Sequence, residues 1–205
     1  MTSWLHEQRM EAVVAEVLAS GASSVLDFGC GDGVMLTRLA KEPSIERLFG
    51  VDLCEQSLDA FRRKHREMQA CERDKIVVAQ ASMTQWNEAY AGFDAAILVE
   101  TIEHVDPGRL SALEITVFAK ARPETVIVTT PNADFNVLLG VPPHRFRHPD
   151  HRFEWGREKF RAWADGVALR NRYHVRVRDV AGTHPAYGGA SQMAVFWGAA
   201  RTKGP

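Results

Sequence analysis

Short apolar runs alternating with helix-patterned stretches constrain this chain more than any other feature. Residues 24–28, 47–51, 75–79, 93–99 and 125–130 read as strands, rich in Val, Ile, Leu and Phe. The stretches 34–40, 57–70 and 107–121 between them have helical spacing. Asp106 is placed as an N-cap, and Pro107 sits at the first helical position. A leading amphipathic helix is predicted over 4–20, with Leu5, Val13, Val14, Val17 and Leu18 near one face and Gly21 as its stop. Strands separated by helices pair in parallel, because each connection must cross the sheet, and the crossing helices cover both faces. Two late runs, 174–180 and 192–197, have no obvious helix between them and predict a terminal antiparallel hairpin. The expectation is one α/β domain over 1–205: seven strands, mostly parallel, helices on both faces, an antiparallel last strand, and a loose tail over 198–205.

Bulk properties narrow the partners. A length of 205 residues suffices for one domain with a substantial core. A formal net charge of −1 gives no global basic field, so any polyanion must be met by a local patch. Cys30, Cys54 and Cys71 lack the spacing of a zinc site or a disulfide framework, which suggests a reducing compartment. The first residues lack a signal-peptide layout, and no apolar run approaches the roughly 20 residues a membrane span needs. A cytoplasmic protein is expected.

Between the first strand and its helix lies Asp27-Phe28-Gly29-Cys30-Gly31-Asp32-Gly33. Glycines at that junction let the backbone turn sharply and approach a ligand closely. The dinucleotide fingerprint wants Gly or Ala at the position held by Val34, so this is a different loop. Asp52 ends the second strand at the offset from which an acid meets ribose hydroxyls.

A second cluster follows the fourth strand: Glu100-Thr101-Ile102-Glu103-His104. In a helical turn, positions i, i+3 and i+4 share a face, so Glu100, Glu103 and His104 can converge. Two carboxylates and an imidazole at one point invite a cation. Oxygen-rich ligation suits Mg²⁺ or Mn²⁺. The alternative is a solvated charged loop.

The acid-led glycine loop and Asp52 resemble class I S-adenosylmethionine-dependent methyltransferases, a Rossmann-like superfamily with a seven-stranded sheet. The resemblance implies cofactor binding by Asp27, Gly29, Gly31, Gly33 and Asp52, with Ser82 and Met83 beside the adenine. Val99-Glu100-x-x-Glu103-His104, followed by Asp150-His151-Arg152-Phe153-Glu154-Trp155, is similar to the small-RNA 3′-terminal 2′-O-methyltransferases, the Hua-enhancer family. Asp27-Phe28-Gly29-Cys30-Gly31 and Thr130-Pro131-Asn132 match it too. That resemblance implies a Mg²⁺ or Mn²⁺ ion held by Glu100, Glu103, His104 and His151, which would be the catalytic residues. Only the Asp-His-Arg-Phe-Glu-Trp context singles out His151 from His144, His148 and His174. The partner implied is an RNA 3′ terminus, with an RNA-repair or small-RNA pathway protein beside it, and neither membrane nor DNA. Cleaved tRNA and small regulatory RNA both remain open as substrates.

The interval 131–155 is irregular, with three further prolines and a run of Arg and His. Long connections in compact domains are usually functional. Arg145, Arg147 and Arg152 are candidates for RNA phosphates and Phe146 for stacking on a base. The competing reading pairs these arginines with Asp150, Glu154 and Glu158. Phe153 and Trp155 are assigned to the core, and Arg157 and Lys159 to a solvated helix face. Two other functions compete with the RNA reading: a methyltransferase for a small metabolite without a catalytic metal, and a cofactor-binding module without activity.

Overall fold

The computed structural model describes residues 4–198. Seven strands form one sheet in the order β3-β2-β1-β4-β5-β7-β6. They are β1 (Ser24–Phe28), β2 (Arg47–Asp52), β3 (Ile76–Gln80), β4 (Ala95–Val99), β5 (Thr125–Pro131), β6 (Tyr173–Val180) and β7 (Ser191–Gly198). β1 to β5 pair in parallel, and β7 runs antiparallel to both β5 and β6. The expected architecture is present, including the late hairpin. The loose tail was set to begin at Gly198, which instead ends β7 opposite Tyr173. The remainder of that tail lies outside the described residues.

Six α-helices cover the sheet: α1 (Trp4–Ala19), α2 (Val34–Ala40), α3 (Glu55–His65), α4 (Ala70–Arg73), α5 (Leu110–Glu114) and α6 (Arg157–Asn171). Met10, Val13 and Val17 of α1, Leu36 and Leu39 of α2, and Leu58 and Phe61 of α3 pack on one face of the sheet. Leu113 of α5 and Phe160, Ala164 and Val167 of α6 pack on the other. Both faces of the central strands are therefore dry, and all seven residues of β5 are buried.

Three helices differ from the sequence expectation for local reasons. The helix predicted over 57–70 starts at Glu55, because Cys54 is extended and its carbonyl already accepts the Ser57 and Leu58 N–H groups. It stops at His65, where the Glu67 and Met68 N–H groups bond three residues back and tighten the last turn. The 107–121 segment is a 3-10 turn, then α5, then a π-helical stretch Ile115–Ala121 closed by Arg122 at φ 45°. Asp106 stands at the N-cap position but makes no side-chain cap bond; its carboxylate lies 3.7 Å from Arg152 Nε. In the irregular interval, Ala133–Leu139 forms 3-10 turns. Phe153 and Trp155 are buried as expected and stack on one another at 4.2 Å.

Candidate active site

The loops at the carboxyl ends of β1, β2 and β4 meet, and each half of the site is built by short backbone devices. After β1, the Gly29 and Cys30 N–H groups both donate to the Val51 carbonyl, at 2.8 and 3.1 Å. Gly29, Gly31 and Gly33 are all left-handed, with φ of 77°, 55° and 75°. A Cβ at Gly29 would strike Thr101 and one at Gly33 would strike Phe61, whereas one at Gly31 would meet nothing within 4 Å. The loop is thus wedged at both ends and open in the middle, the cradle a ligand needs. Asp52 braces it: one carboxylate oxygen accepts from Gly31 N at 2.8 Å and the other from Cys54 N at 2.8 Å.

Asp27 is buried beneath this loop, and burial followed by the Asp52 charge pushes its carboxyl up to about 7. Its Oδ2 has no hydrogen-bond partner among the described residues. The Ala81 N–H donates to the Asp52 carbonyl at 3.1 Å, which sets Ser82 and Met83 beside the second-strand acid. The Tyr90 hydroxyl donates to the Ser82 carbonyl, and Met83 packs on the core. Asp52 thus joins the glycine loop to the segment that carries Ser82 and Met83.

The acidic turn after β4 departs from the single helical turn expected. Glu100 is left-handed (φ 50°), so only Ile102–His104 forms a 3-10 turn and Glu100 lies outside it. Its N–H donates to the Thr129 carbonyl and hydroxyl. Its Oε2 lies 3.3 Å from Arg9 Nη1 and accepts from the Ser191 hydroxyl at 3.2 Å. Glu103 is fully buried and accepts from the Thr130 hydroxyl at 2.9 Å. Burial, then the Glu100 charge, raises its carboxyl well above the usual range.

The irregular loop delivers the imidazole from downstream. The Arg152 N–H donates to the Glu103 carbonyl at 2.7 Å and draws the loop onto the turn. The His104 and His151 rings then lie 4.9 Å apart, edge to face. Ligand atoms of Glu103, His104 and His151 all fall within 4.8 Å of one another. Burial, then His151 and His148, lowers the His104 pKa, which favours the neutral ring that can ligate. Of the four residues expected to meet, three do. Glu100 is turned to Arg9, yet its charge still reaches Glu103.

The site fits a hard cation on one observation above others. Glu103 Oε1 and Glu100 Oε1 are buried without hydrogen-bond partners among the described residues. Buried carboxylate oxygens left bare are costly unless a cation meets them.

Sequence reasoning missed several members. Arg9 on α1, Ser191 on β7 and Thr130 on β5 touch the carboxylates from far along the chain. Glu154 accepts from His151 Nδ1 at 2.5 Å; the signal was the His-x-x-Glu spacing. His148 sits 5.7 and 6.1 Å from the His151 and His104 rings. Its Nδ1 accepts from Asp150 N at 3.3 Å.

The proposed RNA contacts divide. Arg145 and Phe146 are exposed and line a cavity of about 620 Å³ that Glu154 and Tyr187 also line. Arg152 is exposed beside Asp106. Arg147 is a correction: Nε, Nη1 and Nη2 of its guanidinium each donate inward, to Asn136 Oδ1 and to the Ala190 and Asn132 carbonyls, so the group is anchored inside the protein. Arg157 lies on α6 with its side chain 42% exposed, on a solvated face as expected, and pairs there with Asp134.

Comparison with known proteins bears on the family and the fold. A family model described as a methyltransferase domain matches residues 25–123. The chain is 36% identical over 205 residues to a Small RNA 2′-O-methyltransferase of Gallus gallus, covering 94% of this chain and 53% of that protein. It thus spans about half the length of that curated relative. A crystal structure of the methyltransferase domain of bacterial CtHen1 is 38% identical, with a TM-score of 0.86, covering 96% of this chain and 100% of that one. A crystal structure of the small RNA methyltransferase HEN1 is 30% identical with a TM-score of 0.87, covering 97% of this chain and 26% of that one.

Proposed function

The chain belongs to the Hen1 methyltransferase-domain family, and from that premise we propose that it transfers a methyl group from S-adenosylmethionine to the 2′-hydroxyl of the 3′-terminal ribose of RNA, with Mg²⁺ or Mn²⁺. The observation that carries this reading is the convergence of Glu103, His104 and His151 within 4.8 Å, on the turn whose Thr101 is pressed against Gly29 of the glycine loop. Methyl transfer of this kind needs a donor pocket and an acceptor pocket in line, and here the two share a wall.

Asp27, Gly29, Gly31, Gly33 and Asp52 hold the cofactor, with Ser82 and Met83 at its base. S-adenosylmethionine supplies the methyl on an electrophilic sulfonium. Asp52 offers ribose an acceptor that the Gly31 and Cys54 N–H groups keep in place. Glu103, His104 and His151 would hold the cation, and Glu100 would have to swing its bare Oε1 from beside Arg9 to join them. A bound divalent ion supplies Lewis acidity to the terminal diol and lowers the pKa of the 2′-hydroxyl. Thr130 orients Glu103, and Glu154 orients His151. A diol-binding site also explains choice of the terminus, because an internal ribose carries a phosphodiester on its 3′ oxygen. Arg145 and Phe146 meet the RNA next to the site, and Arg152 adds donors for its oxygens.

The test is transfer of labelled methyl from S-adenosylmethionine to a short RNA. Incorporation is expected with a 2′,3′-diol end, and none with a 3′-phosphate, with a periodate-treated end or in EDTA. Full transfer to the 3′-phosphate RNA would remove the diol reading, and full transfer in EDTA would remove the cation.

A further inference from the structure

His151 is brought to the site by a segment with little hydrogen-bonded scaffolding of its own. Between Leu139 and α6, the backbone forms no strand ladder beyond one bridge, Asn132 to Trp155. Something other than secondary structure must fix the imidazole, because a ligand needs its ring plane and its tautomer set. The side chains of His151 and Glu154 are 8% and 1% exposed, so solvent does not hold them.

We propose that Glu154 is the positioning residue that does this. Its Oε1 accepts from His151 Nδ1 at 2.5 Å and from Arg147 N at 2.7 Å, and its Oε2 accepts from Asn136 Nδ2 at 2.6 Å. A carboxylate with three donors on it cannot swing. Both of its oxygens already accept from obligate donors, a backbone N–H and an amide NH₂, so the carboxylate is the acceptor toward His151 Nδ1, and Nε2 is the ring nitrogen with a lone pair for a cation. The anchor continues inward. The Arg147 guanidinium donates to Asn136 and to the Asn132 and Ala190 carbonyls, which ties Glu154 to the end of β5 and the start of β7. Arg147 and Glu154 thus serve the site without touching substrate. The buried Glu154 carboxylate also backs the 620 Å³ cavity that Phe146 lines.

This inference rests on the cation reading above, and two measurements separate them. The first uses the unaltered protein, free of metal: long-range ¹H–¹⁵N spectra at alkaline pH report the tautomer of the neutral His151 ring. Nδ1–H is expected, and an Nε2–H ring overturns the role of Glu154. The second is a Mn²⁺ titration followed by electron paramagnetic resonance. Glu154→Gln keeps the shape but gives up the charge. It should weaken Mn²⁺ binding about 10- to 100-fold, with S-adenosylhomocysteine affinity unchanged. Equal Mn²⁺ affinity in a folded Glu154→Gln protein also overturns the proposal. If the unaltered protein binds no Mn²⁺, the cation reading falls and the tautomer alone decides what Glu154 does. The tautomer likewise decides should Glu154→Gln not fold.

Discussion

Gly29 is pressed against Thr101: a Cβ built on Gly29 would lie 2.4 Å from Thr101 Cγ2 and 2.8 Å from its hydroxyl. One residue belongs to the cofactor loop and the other to the acidic turn. The donor and acceptor halves are therefore locked together by the absence of one methyl group. Thr101 is itself held, because its hydroxyl donates to the Val99 carbonyl at 3.0 Å. Neither side can yield cheaply.

Gly29→Ala tests that lock. A left-handed φ of 77° costs an L-residue about 1–2 kcal/mol. Overpacking against Thr101 adds about 1–3 kcal/mol. The melting temperature should fall by roughly 5–15 °C in a domain of this size. Calorimetry should also show weaker S-adenosylhomocysteine binding, because the strain sits in the loop that cradles it. Gly31→Ala carries only the backbone penalty in the ligand-free protein, since its Cβ meets nothing. Equal melting temperatures for the Gly29 and Gly31 variants would refute the contact.

Asp27 makes stability depend on pH. Its carboxyl is raised from 3.8 to about 7 by burial and then by Asp52. The native state therefore holds a proton that the unfolded chain has released between about pH 4 and pH 7. Where the native state binds more protons, stability falls as pH rises. The loss begins above the unfolded pKa and is complete above the folded one, up to roughly 4 kcal/mol. Asp27→Asn removes this slope. Melting curves of the cofactor-free proteins should run parallel below pH 4, and the unaltered protein should lose ground to the variant up to about pH 8. A constant gap across that range would contradict the assigned burial cost.

The order of elements was legible because strand and helix periods differ and β1 to β5 are short and mostly apolar. The pairing of β6 with β7 was legible because no helix separates them, but the place of β7 beside β5 was not. Helix ends were less so, since the stop at His65 depends on two i→i−3 bonds that leave no residue signature. The left-handed Glu100 was invisible for the same reason: nothing in Val99-Glu100-Thr101 marks a positive φ on a non-glycine residue. Spacing found Glu103 and His104 together, but Arg9, Thr130 and Ser191 reach the carboxylates only through the sheet order. Arg147 looked like Arg145 in sequence. Only the packing of three acceptors around one guanidinium tells them apart.

Glu103 should show function opposing stability. Its buried carboxylate has one bare oxygen and is raised by burial and by Glu100. Glu103→Gln removes the charge and keeps an acceptor for the Thr130 hydroxyl. The metal-free variant should therefore melt no lower than the unaltered protein, and higher where the charge cost dominates. Mn²⁺ should raise the melting temperature of the unaltered protein and leave that of the variant unmoved. Methyl transfer should drop below about 1% while S-adenosylhomocysteine affinity holds, because the carboxylate lies on the acceptor side. Near-normal transfer by Glu103→Gln would remove it from the ligand set.

Arg145 and Arg147, two residues apart, should fail in opposite ways. Arg147 satisfies Asn136 Oδ1 and the Asn132 and Ala190 carbonyls. Its removal costs three charge-assisted hydrogen bonds, at about 1.5–3 kcal/mol each, although the Asn132 and Ala190 carbonyls keep the Phe135 and Asn132 N–H groups. Arg147→Ala should therefore lower the melting temperature by 5 °C or more, on the order expected for several kcal/mol in a domain of this size. Arg147→Lys should not restore it, because one ammonium cannot match three divergent acceptors. Arg145 is exposed at the cavity mouth. Arg145→Ala should melt within about 1 °C of the unaltered protein. Its RNA affinity should fall several-fold, with a shallower salt dependence, as loss of a phosphate contact requires. Binding by fluorescence anisotropy at two salt concentrations, beside melting curves of both variants, decides the matter. An Arg147→Ala protein of normal stability and weakened RNA binding would return that arginine to the RNA surface.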